Sequence, residues 1–166
     1  MPLIVVGGGS RSGKSRHALE LARSKGKRLG FIATAQAFDD EMRDRIRKHQ
    51  HERSSEFMTF EEPFELARAI TDAALRCDVI VVDCLTLWVS NLMLSDRPVD
   101  AESLVDAIRT TSAVVILVTN EVGCGIVPDN ALARQFRDVA GWLNQRVAEA
   151  ADEVFWMVFG IPMKAK

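Results

Sequence analysis

The sequence predicts an α/β fold in which helices cover both faces of a central, mostly parallel sheet. Short apolar runs without polar alternation recur along the chain, as is typical of strands buried on both faces. Candidate helices separate these runs, as parallel strands require. With 166 residues and neither an internal repeat nor a convincing linker, the chain is most simply a single domain over residues 1–166.

The predicted strands are apolar runs rich in β-branched residues, and each is short enough to cross a sheet once. In chain order they are Leu3–Val6, Leu29–Ala33, Val79–Val82, Val114–Val118 and Val154–Val158. Ligands of an open α/β sheet bind beyond the carboxyl ends of the strands. The residues that follow each run are therefore the candidates for a site.

Helices are predicted wherever the chain between two runs carries a helical pattern. They are Lys14–Ser24, Asp39–Arg53, Pro63–Leu75, Leu85–Leu94, Ala101–Thr111 and Asn130–Ala151. The segment Ser95–Pro98 has the composition of an exposed turn, and Asp100 leads from it into the next helix.

Composition narrows the functional class. The net charge of −2, with acidic and basic residues interspersed, offers no broad footprint for nucleic acid. No segment approaches the length of a membrane span, and the chain runs into its first strand without a leader, which predicts a cytoplasmic protein. Cys77, Cys84 and Cys124 are far apart, which favours buried reduced thiols over disulfides or a zinc site.

The stretch Gly8–Ser15, GGSRSGKS, fits the spacing G-x-x-x-x-G-K-[ST] and directly follows the first strand. Such a loop turns successive backbone N–H groups toward the phosphates of a nucleotide. The fold prediction thus becomes a P-loop nucleotide-binding, three-layer fold. The nucleotide contacts predicted in this loop are Gly8, Gly9, Ser10, Arg11, Ser12, Gly13, Lys14 and Ser15.

Within the loop, Lys14 is predicted to reach the β- and γ-phosphates, and the Ser15 hydroxyl is predicted to bind Mg²⁺. Asp83 closes the run VIVVD, where a carboxylate can hold the same ion. Asp83 could also cap the following helix, and the two roles are compatible. Glu121, after the fourth run, could orient a substrate hydroxyl, contact Mg²⁺ or be an ordinary loop charge.

The helix Asp39–Arg53 contains a candidate nucleophile. Its two aliphatic residues, Met42 and Ile46, lie four apart, and the same stripe continues to His49 and Arg53. His51 lies two positions beyond His49 and faces another direction. A neutral imidazole can attack phosphorus covalently, so the geometry selects His49 for that role. The pattern alone favours a packed or solvated histidine over a nucleophile.

The chain resembles, over nearly its whole length, the bifunctional adenosylcobinamide kinase/adenosylcobinamide-phosphate guanylyltransferase family of cobalamin biosynthesis. The T-N-E-V-G-x-G-I-V-P run followed by F-R-D-x-A-G-x-x-N-Q is its most specific feature. Matching blocks are GGSRSGKSRHALELA from Gly8, FIATAQAFDDEM from Phe31, RIRKHQHER from Arg45, VDCLTLWVSNL from Val82 and VTNEVGCGIVPDNALARQFRDVAGWLNQRVAEAADEVF from Val118.

The resemblance implies two reactions on one scaffold. Adenosylcobinamide is phosphorylated with ATP or GTP, and GMP from GTP is then transferred to adenosylcobinamide phosphate through a histidine that matches His49. Lys14 and Asp83 would serve the triphosphate, with Mg²⁺ as cofactor, and the assembly would be a homotrimer. The family's nucleotide contacts beyond the loop would fall on Ala33, Thr34, Ala35, Gln50, His51, Glu52, Arg53, Glu61 and Asp83.

Two other classes remain as alternatives. One is a P-loop kinase of another small metabolite, which would have no use for a nucleophile at His49. The other is a non-catalytic nucleotide switch, although the chain lacks the N-K-x-D guanine-reading motif and has Thr119-Asn120-Glu121-Val122 at the nearest strand end. The sequence also leaves open whether both reactions share one nucleotide site.

Overall fold

A computed structural model describes residues 2–36 and 55–166 of the chain. These residues form a seven-stranded sheet with the order β3-β2-β4-β5-β1-β6-β7. The strands are β1 (Leu3–Gly8), β2 (Leu29–Ala33), β3 (Phe57–Glu61), β4 (Val79–Asp83), β5 (Val114–Asn120), β6 (Glu153–Val158) and β7 (Ile161–Lys164). All neighbours pair in parallel except β6 and β7, which are antiparallel.

Five helices lie in the described ranges: α1 (Lys14–Lys25), α2 (Leu66–Ala74), α3 (Leu85–Leu94), α4 (Ala101–Thr110) and α5 (Ala131–Ala150). Asp100 and Asn130 cap α4 and α5, each accepting a backbone N–H three residues on. None of these helices combines the length and apolarity that crossing a membrane would need.

The core has two layers because successive side chains of a strand point to opposite faces of the sheet. Ile4 and Val6 of β1 pack with Ala18, Leu19 and Ala22 of α1 on one face. On the other face, alternate strand residues such as Leu3 and Val5 pack against α2, α3, α4 and α5. The predicted α/β fold, with a mostly parallel sheet between two helical layers, is confirmed.

The five predicted strands form the middle of the sheet, whereas the two edge strands were not predicted. In β3 only Phe57 is buried, and all of β7 is exposed and contains Pro162. Because neither strand is buried on both faces, neither carries the continuous apolar run by which the other five strands were predicted. The predicted helix Pro63–Leu75 begins later than expected, at Leu66, with Glu65 as its N-terminal cap residue. The predicted helix Asp39–Arg53 falls outside the described residues.

The cysteine prediction was wrong at one position. All three cysteines are free thiols, and Cys77 and Cys84 are buried as expected. Cys124 is exposed, because it lies in the loop after β5 and not in the core.

The register of the sheet brings several sequence-predicted residues to one edge. Gly8 at the end of β1 pairs with Asn120 at the end of β5. Ala33 at the end of β2 pairs with both Asp83 of β4 and Glu61 of β3. Since these strands run in parallel, their carboxyl ends and the loops that leave them lie on the same side of the sheet.

Candidate nucleotide-binding site

The loop between β1 and α1 has a backbone that only glycine adopts easily at two positions. Gly8 has φ of +151° and Gly13 has φ of +92°. A Cβ atom on Gly8 would lie 2.9 Å from Ser12 Oγ, and one on Gly13 would lie 3.3 Å from the Cα of Gly160. A side chain at either position would strain the backbone and crowd a neighbouring atom, which explains why the motif has glycine at both.

Lys14 begins α1 and is buried, with 7% of its surface exposed. Its ammonium donates hydrogen bonds to the carbonyl oxygen of Gly9 and, at 3.4 Å, to Ser12 Oγ. Burial lowers the pKa of Lys14 below its ordinary value, while the neighbouring Asp83 opposes part of that change. The side chain lies folded along its own loop, where an anionic ligand held by the loop would meet it.

A cavity of about 490 Å³ opens beside the loop. Ser15 and Asp83, the two predicted Mg²⁺ ligands, both line it. The other lining residues are Arg11, Ser12, Gly13, Arg16, Leu19, Arg23, Phe31, Phe159 and Gly160. Three arginines line the cavity; Arg23 is paired with Glu56, so Arg11 and Arg16 offer the positive charge that suits phosphates. One carboxylate and two serine hydroxyls offer oxygen ligands that suit a hard cation.

Asp83 is held in place by the residue that follows it. Thr34 Oγ1 donates to the Cys84 carbonyl at 2.7 Å and accepts from the Cys84 N–H at 2.9 Å. Asn91 Nδ2 in turn donates to the Thr34 carbonyl at 2.7 Å. These buried bonds join the end of β2 to the start of α3 and fix the strand end that carries Asp83.

The N-terminal cap of α3 is Cys84, whose side chain makes no capping hydrogen bond. The alternative interpretation of Asp83 as the cap of this helix was therefore wrong. Its carboxylate is free of that local role and lines the cavity instead.

Other predicted contacts lie near the cavity without lining it. Ala33 is half-buried in β2, with Ala35 just beyond it and Glu61 exposed in β3 beside it. The hydroxyl of Thr34 is committed to Cys84. Nucleotide contacts from these four residues stay predictions.

The segment that carries the candidate nucleophile lies outside the described residues. It includes His49 and the predicted contacts Gln50, His51, Glu52 and Arg53. Their roles stay predictions that rest on the sequence.

His17 is the histidine that the structure does describe. Its ring meets Phe155 edge to face at 5.2 Å between centroids. Its Nε2 is buried and has no hydrogen-bond partner among the described residues, and burial lowers the pKa of the ring. This environment is that of a histidine packed into the structure.

Glu121 is tied to the phosphate loop by its backbone. Its N–H donates to the Gly8 carbonyl at 3.1 Å, and its carboxylate accepts from the Gly123 N–H. The carboxylate thus closes a turn within its own loop, which favours the structural interpretation over a direct catalytic one.

Residues that the sequence analysis did not select support the end of β5. Thr119 Oγ1 donates to Asn144 Oδ1 of α5 at 2.7 Å, and the Asn120 N–H donates to Thr86 Oγ1 of α3 at 2.8 Å. Asn144 Nδ2 also donates to the Asn120 carbonyl at 3.3 Å. The only signal in the sequence was that Thr119, Asn120 and Asn144 belong to the most specific matching block.

Sequence reasoning also missed one wall of the cavity. Phe159 and Gly160 form the turn between β6 and β7, and the Gly160 N–H donates to the Ser12 carbonyl at 3.0 Å. Because β7 was not predicted, nothing indicated that the chain turns back at the phosphate loop.

Nearly the whole chain is similar to a known protein family. The sequence model of the family described as cobinamide kinase / cobinamide phosphate guanyltransferase matches residues 4–165. The bifunctional adenosylcobalamin biosynthesis protein CobP of Pseudomonas aeruginosa is 44% identical, with 96% of this chain and 94% of that protein covered. The bifunctional adenosylcobalamin biosynthesis proteins CobU of Salmonella typhimurium and Escherichia coli are 44% and 41% identical, with 99% of both chains covered in each case.

Solved structures share the fold at low sequence identity. The flagellar accessory protein FlaH from Methanocaldococcus jannaschii has a TM-score of 0.59 at 12% identity, covering 99% of this chain and 78% of that one. The RadB recombinase has a TM-score of 0.52 at 16% identity, covering 93% of this chain and 73% of that one. These similarities extend to the fold alone.

The buried link through Thr34 can be tested by Thr34→Val, which keeps the volume and removes the hydroxyl. The Cys84 N–H then loses its partner in the core, so the free energy of unfolding should fall by about 1–3 kcal/mol. Urea denaturation followed by circular dichroism measures the change. Thr71→Val makes the same substitution on an exposed helical surface and should stay within about 0.5 kcal/mol of the wild type. Equal effects at both positions would contradict the assigned link.

Proposed function

Because this chain belongs to the cobinamide kinase / cobinamide phosphate guanyltransferase family, we propose that it phosphorylates adenosylcobinamide and then transfers GMP to the product. The product would be adenosylcobinamide-GDP, an intermediate of adenosylcobalamin biosynthesis. The observation that carries the proposal is the cavity in which the phosphate loop, Ser15, Asp83 and three arginines meet. It supplies the groups that a bound triphosphate needs at one edge of the sheet.

The first reaction is a phosphoryl transfer from ATP or GTP. A hydroxyl oxygen of adenosylcobinamide forms a bond to the γ-phosphorus, and the nucleoside diphosphate leaves with its bridging oxygen. Catalysis of such a step consists mainly of positioning and of neutralising charge on the phosphates. The loop N–H groups and Lys14 would do this from one side, and the arginines of the cavity from another.

Ser15 and Asp83 are the residues that would hold Mg²⁺. A hydroxyl and a carboxylate lining one cavity match the oxygen ligands this ion prefers, and the ion commonly takes its remaining ligands from phosphates and water. When bound, it supplies positive charge to the phosphate oxygens. Within the described residues no cluster of three or more His, Cys, Asp or Glu side chains offers a self-sufficient metal site, so the phosphates would complete the coordination.

The second reaction moves the attack to the α-phosphorus of GTP. A neutral imidazole nitrogen of His49 would bond to that phosphorus while pyrophosphate leaves. A phosphate oxygen of adenosylcobinamide phosphate would then attack the same phosphorus and release the imidazole. Arg53, on the stripe shared with His49, is the first candidate to stabilise charge on the transferred group. We propose that the Gly8–Ser15 loop holds the triphosphate in both reactions.

Assembly and location stay predictions. A homotrimer is implied only by the resemblance to the family, and a cytoplasmic location is an expectation from the sequence alone. In a homotrimer, a neighbouring subunit could complete the site that this chain begins.

The nucleophile can be identified with GTP labelled at the α-phosphate. After incubation and denaturation, the wild type should carry label that is acid-labile and alkali-stable, as a phosphoramidate is. His49→Ala should carry none, because the acceptor nitrogen is gone. His51→Ala removes a predicted nucleotide contact but not the nucleophile, so it should keep the label. Unlabelled wild type, or label that persists in His49→Ala, would contradict the covalent step.

The phosphate loop can be tested by Lys14→Ala in the kinase reaction. Loss of the ammonium should lower the rate of adenosylcobinamide phosphorylation by at least about a hundredfold, since it removes a preorganised charge from the phosphates. Product formation with labelled γ-phosphate measures the rate. Lys27→Ala removes an exposed lysine from the turn between α1 and β2 and should leave the rate unchanged. Full activity of Lys14→Ala would contradict the proposal that the phosphate loop takes part in the kinase step.

A further inference from the structure

Phe159 is an unusual residue for its place in the fold, the turn between β6 and β7. It is 96% exposed, although phenylalanine is among the residues most often buried. Its backbone has φ of +51° and that of Gly160 has φ of +85°, as the two-residue turn of the β6–β7 hairpin requires. Asn or Asp would adopt this conformation more easily than phenylalanine, so the turn alone does not account for an aromatic residue here.

The position of Phe159 relative to the phosphate loop is fixed by its neighbours. The adjacent Gly160 donates its N–H to the Ser12 carbonyl at 3.0 Å, and its Cα would lie 3.3 Å from a Cβ on Gly13. The guanidinium of Arg16 packs at the same place, 3.3 Å from where a Cβ on Gly160 would stand. The hairpin turn therefore packs directly against the phosphate loop, and Phe159 lines the cavity from this position.

We propose that Phe159 is the stacking platform for the purine base of the nucleotide whose phosphates the loop holds, an inference that rests on the proposed function. The ring lines the same cavity as Arg11, Ser12, Gly13 and Ser15 of the loop, so the nucleoside end of a triphosphate held by the loop would lie within its reach. A flat apolar face beside a guanidinium is the chemistry that recognises a base.

Stacking on Phe159 would also bear on the choice of nucleotide. An aromatic ring presents only a π-face, and every base has one, so stacking does not read the hydrogen-bonding edge that distinguishes guanine from adenine. Phe159 would therefore strengthen the binding of GTP and ATP by similar factors. This fits a kinase step that accepts either donor, and it leaves selection of GTP in the second step to other residues.

The test compares equilibrium binding of GTP and ATP, each as its non-hydrolysable α,β-methylene analogue so that no GMP is transferred to His49, and of inorganic tripolyphosphate to the full-length chain by calorimetry. Phe159→Ala should raise the Kd of both nucleotides by about 5- to 150-fold, which is the loss of one stacked base. Tripolyphosphate has no base, so its Kd should not change. Because the side chain is exposed, the variant should fold.

Three further variants separate stacking from other effects. Phe159→Trp keeps a π-face and should bind both nucleotides at least as tightly as the wild type, whereas Phe159→Leu keeps apolar bulk only and should weaken them. Ile161→Ala removes another exposed apolar side chain, 65% exposed and outside the cavity lining, and should change nothing.

The outcomes distinguish this proposal from the proposed function. Unchanged nucleotide affinity in Phe159→Ala, or an equal loss for tripolyphosphate, overturns the stacking role while the kinase proposal stands. An effect of Phe159→Ala confined to the KM for adenosylcobinamide would also overturn it and would assign the ring to the other substrate. Wild-type protein that binds neither GTP nor tripolyphosphate would overturn both proposals.

Discussion

The candidate site depends on the parallel pairing of β1 with β5 on one side and β6 on the other. This arrangement places the carboxyl end of β1 in the interior of the sheet, so that the Gly8–Ser15 loop begins between two neighbouring strand ends. The Gly8 carbonyl accepts from the Glu121 N–H that follows β5, and the Ser12 carbonyl accepts from the Gly160 N–H that follows β6. The loop is thereby held from both sides before any ligand arrives.

The same principle of support from distant segments applies to Asp83. Asp83 does not cap the helix that begins beside it, and the position of its backbone is set by the buried pair of bonds between Thr34 and Cys84. A strand end and a loop that are both fixed at one edge of the sheet favour charge neutralisation, because preorganised groups do not need to reorient during the reaction. Membership of the cobinamide kinase / cobinamide phosphate guanyltransferase family gives this arrangement its substrate class.

The parts of the site that could be predicted are those formed by residues that lie close together in the sequence. The spacing of Gly8, Gly13 and Lys14 follows from the shape of a single loop, and Asp83 follows from the end of an apolar strand. The Thr34–Cys84 link spans fifty residues along the chain, and the Thr119–Asn144 bond spans twenty-five, so no periodicity could indicate them. Phe159 was missed because β7 is an exposed edge strand, and one more apolar residue after an apolar run gives no sign that the chain turns back over a cavity.

The central claim is that the Gly8–Ser15 loop holds the triphosphate from which both the γ- and the α-phosphorus are delivered. A crystal structure of the protein with a non-hydrolysable GTP analogue and Mg²⁺ tests this most directly. The account predicts the β- and γ-phosphates against the loop N–H groups and the Lys14 ammonium, with a His49 nitrogen in line with the α-phosphorus. A triphosphate bound away from this loop, or one whose α-phosphorus His49 cannot approach, would contradict it.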